Sequence, residues 1–363
     1  MAQKSVSHWE AIVEESKSGA SIYVGVDVHK SKYAVAVLSA NGVSHHFVAP
    51  ADNDGLLKQF QDRGVKIEAL AYEAGLTGFG LYRACVESGV RAMVVAACRM
   101  PRPVTRSAKT DKVDCLKLAE YLAKGLLKPI AVPSEDQEAV RAEMRRRNQL
   151  TRELSELKTR IKSFLTFHGL AEPSGLKSWS EYGLAELKKM PMHPALRDTL
   201  DSLLRQYHFF TEEQRLLERK IKEVVIPADD ILQTTPGVGP LTSAVFRTEI
   251  FDPQRFHRPE ELSSFIGLAP VISQSGQSQS SGTARLVPCG QGKLRSMLIE
   301  AAWIMMRKEA WAADFYNRIL RRSGKSQKAI VALARKLAVI LWKLLLDNRR
   351  YMSDYSQPVE FEA

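Results

Sequence analysis

A lone carboxylate inside a strand of buried character is the feature that most constrains this chain. Residues 22–28 are β-branched, aromatic or small, except for Asp27, and this composition favours a buried strand. Burial of an unpaired carboxylate costs several kcal/mol. Asp27 therefore needs a metal ion, a cation or a cleft beside it.

Two further strands follow Asp27 closely. Residues 33–38 and 43–48 have strand composition, and Asn41 and Gly42 lie between them. An Asn-Gly pair supplies the positive φ angles of a tight hairpin turn. Together with residues 22–28, these segments predict an antiparallel meander of three strands.

A fourth predicted strand, residues 67–72, ends immediately before Glu73. In open α/β sheets, functional residues gather at the carboxyl ends of strands, so Glu73 is well placed. The other predicted elements are helices near residues 56–60, 79–88 and 110–124 and a strand at residues 90–97. The order of three strands, helix, strand, helix, strand, helix is that of an RNase H-like α/β fold.

Two acids open the last of these helices. Asp111 and Asp114 are three residues apart, so they project from one helix face, about one turn apart along the axis. They could share a metal site, or they could simply favour the positive end of the helix dipole. Clustered carboxylates repel one another unless cations neutralise them, and oxygen ligands suit Mg²⁺. With Asp27 and Glu73, the pair therefore predicts a Mg²⁺-dependent nuclease or recombinase.

Three segments carry a resemblance to a known family. Residues 23–30, 72–75 and 109–114 resemble the RuvC-like, DEDD-type transposases of bacterial insertion sequences, and the resemblance extends over about residues 20–345. It implies that Asp27, Glu73, Asp111 and Asp114 bind Mg²⁺. It also implies that a bridge RNA encoded by the element guides recombination between donor and target DNA.

Residues 234–244 are typical of the hairpin in a helix-hairpin-helix DNA-binding module. Gly237 and Gly239 would let the backbone approach a phosphate, next to the free N–H groups of a helix N-terminus. The alternative is a Pro-Gly turn between two core helices.

A serine-rich tract follows at residues 273–282. Its composition alone favours a flexible linker. The resemblance instead implies that Ser275, within Gln274-Ser275-Gly276 and six residues before Gly282, is the nucleophile that attacks DNA. The sequence departs from the family pattern at residues 283–290, so the neighbouring serines are alternatives in another register: Ser273, Ser278, Ser280 and Ser281.

The chain has a formal net charge of +11, and clustered cations suit phosphate backbones. The predicted nucleic-acid contacts besides the two glycines are Arg99, Arg102, Arg106, Lys109, Lys325 and Lys328. For any one cluster, the alternative is that its cations only face solvent and contact no nucleic acid. Arg141, Arg145, Arg146 and Arg147 could also meet RNA.

Residues 134–226 are low in glycine and carry leucines at spacings of three and four, which predicts a coiled coil. Its two halves could return as an antiparallel arm within one chain or pair with another protomer. We expect a dimer that pairs into a tetramer.

The cysteines and histidines lack zinc-ligand spacings. No apolar run is long enough to cross a membrane. The cysteine usage fits a reduced cytoplasmic setting. The predicted organisation is an N-terminal extension (1–20), a RuvC-like domain (21–130), a coiled-coil region (134–226), a mainly helical C-terminal domain bearing Ser275 (230–350) and a tail (351–363).

Three rival functions remain open. A junction-resolving nuclease of RNase H-like fold would use the same acids with water in place of Ser275. An actin-like or sugar-kinase-like ATPase also begins with a Gly-x-Asp strand beside a hairpin, but a second glycine-rich phosphate loop is not evident. A basic nucleic-acid scaffold would need none of the four acids.

Overall fold

The computed structural model describes residues 8–97, 100, 111–271, 285–286 and 290–353, and within these ranges the side chains of residues 8, 111–113, 271, 285 and 286 are not described. The chain divides into two compact units, Met1–Val132 and Pro133–Ala363.

The first unit is built on a mixed five-stranded sheet. Its strands lie in the order β3-β2-β1-β4-β5, and their bounds are β1 (Ile22–Val28), β2 (Lys32–Ser39), β3 (Ser44–Pro50), β4 (Ile67–Glu73) and β5 (Ala92–Val95). β2 is antiparallel to β1 and β3, whereas β4 is parallel to β1 and to β5. The three-strand meander and the predicted element order are confirmed.

Four helices cover this sheet: α1 (His8–Lys17), α2 (Asn53–Gln61), α3 (Gly80–Glu87) and α4 (Asp111–Ala123). The core on one face joins Ile12 of α1, Phe60 of α2 and Cys85 of α3 to Val24 and Val26 of β1. Helix α1 was not predicted, yet its Ile12 is fully buried. Part of the predicted N-terminal extension therefore belongs to the core of the first unit.

Helix α4 packs on the opposite face of the sheet. Leu118 of α4 shares a buried cluster with Ala69 and Ala71 of β4, and Cys115 packs on Ala34 and Ala36 of β2. These small sheet residues let the helix lie close to the strands, which fixes where the beginning of α4 stands relative to the strand ends.

The second unit is mostly helical. Its α-helices are α5 (Glu135–Phe167), α6 (Glu181–Lys189), α7 (Pro194–Val225), α8 (Pro240–Ile250), α9 (Pro259–Ile266), α10 (Gly292–Lys308), α11 (Ala310–Ser323) and α12 (Ser326–Asp347), and two short strands, β6 (Pro270–Val271) and β7 (Arg285–Leu286), pair with each other. The core is centred on α12, in which Leu333, Leu337 and Leu341 are fully buried.

The two long helices α5 and α7 pack against each other within the chain. Lys220 near the end of α7 pairs with Glu143 near the beginning of α5, and Leu200 near the beginning of α7 shares a cluster with Leu165 near the end of α5, so the helices are antiparallel. Ile221 is buried, but Val224, three residues further along α7, is 60% exposed. A straight α-helix repeats every 3.6 residues, so a stripe spaced at 3.5 drifts around it. Pairing with another protomer stays a prediction.

Candidate active site

Asp27 lies near the end of β1, on the sheet face that α4 covers. Neighbouring side chains of a strand point to opposite faces, and Val24 and Val26 point into the α1–α3 core. Tyr23, which packs with Leu118 of α4, therefore shares its face with Asp27. The side chain of Asp27 is 28% exposed, so its carboxylate is open to a ligand.

Glu73, the last residue of β4, lies beside Asp27. The parallel ladder aligns Val26 with Tyr72, so Asp27 and Glu73 follow at the same level. Tyr72 points into the α1–α3 core, which places Glu73 on the α4 face. The half-buried Glu73 and Asp27 therefore share one face and one edge of the sheet.

Asp114 reaches this edge because α4 rests on β1 at Gly25. A Cβ atom on Gly25 would lie 2.1 Å from the Cys115 carbonyl oxygen and 2.7 Å from the Ala119 backbone nitrogen. Only glycine permits such a close approach. Burial, with smaller contributions from the charges of Asp27 and Asp114, raises the pKa of the Cys115 thiol to about 11. Asp114 directly precedes Cys115, so the contact with Gly25 places Asp114 on the side of the sheet that carries Asp27.

Asp111 is the first residue of α4, one turn before Asp114, and its side chain is among those not described. Within the described residues, no group of three or more His, Cys, Asp or Glu side chains is arranged to hold a metal ion. β1 and β4 bring Asp27 and Glu73 to one edge of the sheet, and the packing of α4 on Gly25 puts Asp114 on the same face.

A histidine joins the edge of this site. His29 Nε2 lies 3.2 Å from Asp27 Oδ2, and the His29 backbone N–H donates to the Lys32 carbonyl oxygen in the tight β1–β2 turn. Residues two apart in a strand share a face, which is the sequence signal for this contact. His29 is not among the predicted site residues, and the structure places its ring beside Asp27.

Ser275 lies outside the described residues, as do Ser273, Ser278, Ser280 and Ser281. The elements on either side of this segment are described. β6 and β7 pair antiparallel, with Pro270 opposite Leu286 and Val271 opposite Arg285.

The predicted nucleic-acid contacts differ in their surroundings. Arg99, Arg102, Arg106 and Lys109 lie outside the described residues. Lys325 and Lys328 are exposed at the beginning of α12, next to the exposed Arg321 and Arg322 at the end of α11.

The turn before α8 contains the two predicted backbone-contact glycines. Gly237 has φ 91°, and a Cβ there would lie 2.3 Å from the Ala301 carbonyl oxygen of α10, so packing alone requires glycine. Gly239 is exposed with nothing near its Cβ position. The element before the turn is a 3₁₀ helix of four residues, Ile231–Thr234, and the helix-hairpin-helix module stays a prediction.

Two of the four α5 arginines are engaged inside the second unit. Arg141 Nη2 lies 3.1 Å from Glu249 Oε2, and the buried Arg147 donates from Nε and Nη2 to Glu218 Oε1. Arg145 and Arg146 are exposed, and Arg146 pairs with Glu153 at 3.3 Å.

Two family models match the chain. Residues 24–169 match the DEDD transposase model of the IS110 type, described as "Transposase", and residues 229–317 match "Transposase IS116/IS110/IS902 family". The first match contains Asp27, Glu73, Asp111 and Asp114, and the second contains Ser275.

Curated relatives match over most of their length. The chain is 29% identical to the putative transposase y4qE of Sinorhizobium fredii, covering 91% of this chain and 90% of that protein. It is 30% identical to the putative transposase y4rJ of the same organism, covering 89% and 91%. It is 26% identical to the transposase for insertion sequence element IS1111A of Coxiella burnetii, covering 74% and 75%.

Among solved structures, T. thermophilus RuvC in complex with a Holliday junction substrate aligns with 30% of this chain and 99% of its own, at 14% identity and a TM-score of 0.21. In the described part of the chain, no helix is long and apolar enough to cross a membrane.

The family models and the relatives that align along nearly the whole chain lead to one conclusion: the chain belongs to the IS110-type insertion-sequence transposases, DNA-recombining enzymes with an N-terminal DEDD domain.

Proposed function

We propose that this transposase cuts and rejoins DNA strands by transesterification, with Ser275 as the nucleophile and the four acids as a Mg²⁺ site. One observation carries the proposal: Asp27 and Glu73 lie near the ends of neighbouring parallel strands on one face of the sheet, and α4, which bears Asp114, packs on that face at Gly25. Acids that only capped a helix or faced solvent would not need this convergence.

The residues present fit Mg²⁺. All the ligands offered are carboxylate oxygens, which magnesium prefers, and Asp27 and Glu73 are only partly buried. Asp27, Glu73, Asp111 and Asp114 would hold the metal. When bound, Mg²⁺ supplies positive charge that stabilises the attacking and leaving oxygens of a phosphoryl displacement.

Ser275 performs the covalent chemistry in this proposal. Its Oγ gives up a proton and bonds to the phosphorus, the bond from phosphorus to a deoxyribose oxygen breaks, and that oxygen takes up a proton. A hydroxyl of the other DNA strand then attacks the phosphoserine and releases Ser275, so the phosphodiester energy is kept for rejoining. A neutral serine hydroxyl is a weak nucleophile, so the step depends on activation.

Donor and target DNA are the substrates, and a guide RNA encoded by the element selects them. The RNA guidance follows from the family resemblance. The exposed Lys325 and Lys328 would add phosphate contacts, together with Arg99, Arg102, Arg106 and Lys109. A dimer that pairs into a tetramer would bring two donor and two target strands together, and the α5 and α7 helices would serve its assembly.

A denaturing gel tests the proposal. Protein, Mg²⁺, element DNA and element-derived RNA are incubated, and we expect a protein-DNA adduct that the Ser275→Ala variant cannot form. Ser281→Ala, in the same tract, is the matched control and should still form it. If Ser275→Ala cleaved DNA normally while Asp27→Asn did not, water would be the nucleophile and the serine mechanism would be wrong.

A further inference from the structure

Two arginines donate hydrogen bonds to the backbone just before the segment that carries Ser275. Arg295 of α10 donates from Nη1 to the Gly267 carbonyl oxygen at 3.3 Å. Arg335 of α12 donates from Nε to the Leu268 carbonyl oxygen at 3.0 Å. Gly267 ends α9 in a left-handed conformation, so two helices distant in sequence meet consecutive carbonyl groups just before β6.

The chain also leaves the segment at this place. A Cβ on Gly290 would lie 2.7 Å from the Gly267 backbone nitrogen, and the Gln291 N–H donates to the Phe265 carbonyl oxygen at 3.2 Å. β6 and β7 pair between these points. The entry and exit of the Ser275 segment are thus tied to the residues that Arg295 and Arg335 hold, and only residues 272–274 separate Val271 from Ser275.

Neither arginine has a countercharge within the part of the chain that the structure describes. Arg295 and Arg335 form no ion pair with a described carboxylate, and each makes one described hydrogen bond. Residues 270–290 contain no Asp or Glu. Burial lowers the pKa of Arg335, because a desolvated charge without a partner is unfavourable. A bound anion would relieve this cost.

Capping of α9 explains only part of this arrangement. Cations near a helix C-terminus stabilise its free carbonyl groups, and one donor from each arginine does so. A guanidinium has five N–H donors. Both Nη groups of Arg335 and one Nη group of Arg295 have no described acceptor, and such groups form the two-point contacts that phosphate favours.

We propose that Arg295 and Arg335 bind backbone phosphates of the DNA strand on which Ser275 acts and hold that strand at the base of the serine segment. The role of Ser275 in this statement rests on the proposed function. The phosphate contact itself does not, because it concerns binding and not chemistry. These two arginines are positioning residues, and the contact is independent of base sequence.

Binding of fluorescent duplex DNA of arbitrary sequence tests this directly. The full-length Ser275→Ala protein, chosen so that cleavage cannot interfere, is compared in a salt series with the same protein carrying Arg295→Gln, Arg335→Gln or both. Each lost phosphate contact should reduce the slope of log K against log [salt] by about 0.9. We expect the double variant to lose about 1.8 from the slope and to bind roughly tenfold or more weakly. Arg307→Gln, which removes an exposed charge at the other end of α10, should change neither.

A merely structural role would lower the melting temperature without changing the salt slope, and that result would overturn the proposal. An effect on duplex RNA of the same sequence, with DNA binding unchanged, would also overturn it. If a variant fails to fold, wild-type protein is modified with phenylglyoxal and mapped by mass spectrometry. DNA should protect Arg295 and Arg335 but not Arg307, and equal modification with and without DNA would contradict the contact. If the arginine variants reduce the salt slope as expected but the Ser275→Ala protein still cleaves DNA, the serine mechanism is refuted and the phosphate contact is not.

Discussion

Gly25 on β1 and Cys115 on α4 meet backbone to backbone, so closely that a methyl group on Gly25 would lie 2.1 Å from the Cys115 carbonyl oxygen. This contact sets the height of α4 above the sheet and therefore the position of Asp114, the residue before Cys115, relative to Asp27. The geometry of the acidic site depends on the absence of one side chain.

Gly25→Ala should therefore push α4 away from β1. We expect a loss of stability of about 1–3 kcal/mol from overpacking and a loss of DNA cleavage beyond what the stability loss explains. Urea denaturation and a cleavage assay measure the two effects. Gly42→Ala is the control. Gly42 has a φ of 92°, so alanine there should cost a similar amount, about 1–2 kcal/mol. Gly42 lies in the turn between β2 and β3, at the end of the sheet away from Asp27. Equal cleavage by both variants would show that the Gly25 contact does not position the site.

Neutral isosteres of the acids should abolish cleavage while the fold is kept. Each of three substitutions removes a charge that would hold Mg²⁺: Asp27→Asn, Glu73→Gln and Asp114→Asn. The resulting loss of several kcal/mol of transition-state stabilisation should slow cleavage by about 10³-fold. Single-turnover cleavage measures it. Glu68→Gln is the matched control on the same strand, β4, where Glu68 makes only an exposed ion pair with Arg91 at 3.9 Å, and it should cleave normally. Full activity in any of the three acid variants would remove that residue from the site.

Magnesium should stabilise the folded protein. A ligand that binds only the native state raises the melting temperature by mass action, and the Mg²⁺ would also relieve repulsion among the acids. We expect Mg²⁺ to raise the melting temperature of the wild type and EDTA to reverse the shift in differential scanning calorimetry. The Asp27→Asn protein should shift much less, and an equal shift would place the stabilising metal elsewhere.

Asp230 should control the acid stability of the second unit. Its side chain is 1% exposed and lies 2.7 Å from Arg247 Nη2. Burial raises the pKa of Asp230, but hydrogen bonds from Arg247, Gln233 and the Leu232 N–H hold it below its usual value. A carboxyl group with a lowered pKa stabilises the fold above its unfolded pKa of about 3.9, and this contribution is lost as the pH falls through the folded-state pKa.

We therefore expect Asp230→Asn to destabilise the protein by about 3 kcal/mol at pH 7 and by much less near pH 3. Urea denaturation at both pH values measures the difference. Asp229→Asn is the neighbouring control, because Asp229 is 77% exposed in its pair with Arg350 and should cost less than about 1 kcal/mol. A pH-independent difference for Asp230→Asn would contradict the role of its charge.

Local patterns predicted the strands of the sheet and the positions of Asp27 and Glu73 near strand ends. The strand alternation around Asp27 and the position of Glu73 after residues 67–72 indicated one sheet edge, because these signals lie within a few residues of each acid. The approach of α4 to Gly25 was not predictable, since it joins residues 90 positions apart. For the same reason, the sequence could not distinguish a glycine required by packing on Ala301 from a glycine that contacts phosphate at Gly237.

Cation counting was less informative than local pattern. Lys336 stands in a basic run of the sequence, yet its Nζ lies 4.8 Å from the centre of the Trp311 ring, and burial and the nearby Arg318 lower its pKa. Arg335 beside it holds a backbone carbonyl group. Charge in the sequence does not reveal which cations tertiary packing has already engaged.

In the proposed mechanism, the Ser275 hydroxyl attacks DNA and the reaction requires the carboxylate of Asp27. After reaction with Mg²⁺, element DNA and element-derived RNA, mass spectrometry identifies the peptide that carries DNA. We expect a nucleotide remnant on Ser275 in the wild type and none in the Asp27→Asn protein. A remnant on another residue, or cleaved DNA without any protein-bound nucleotide, would show that Ser275 is not the nucleophile.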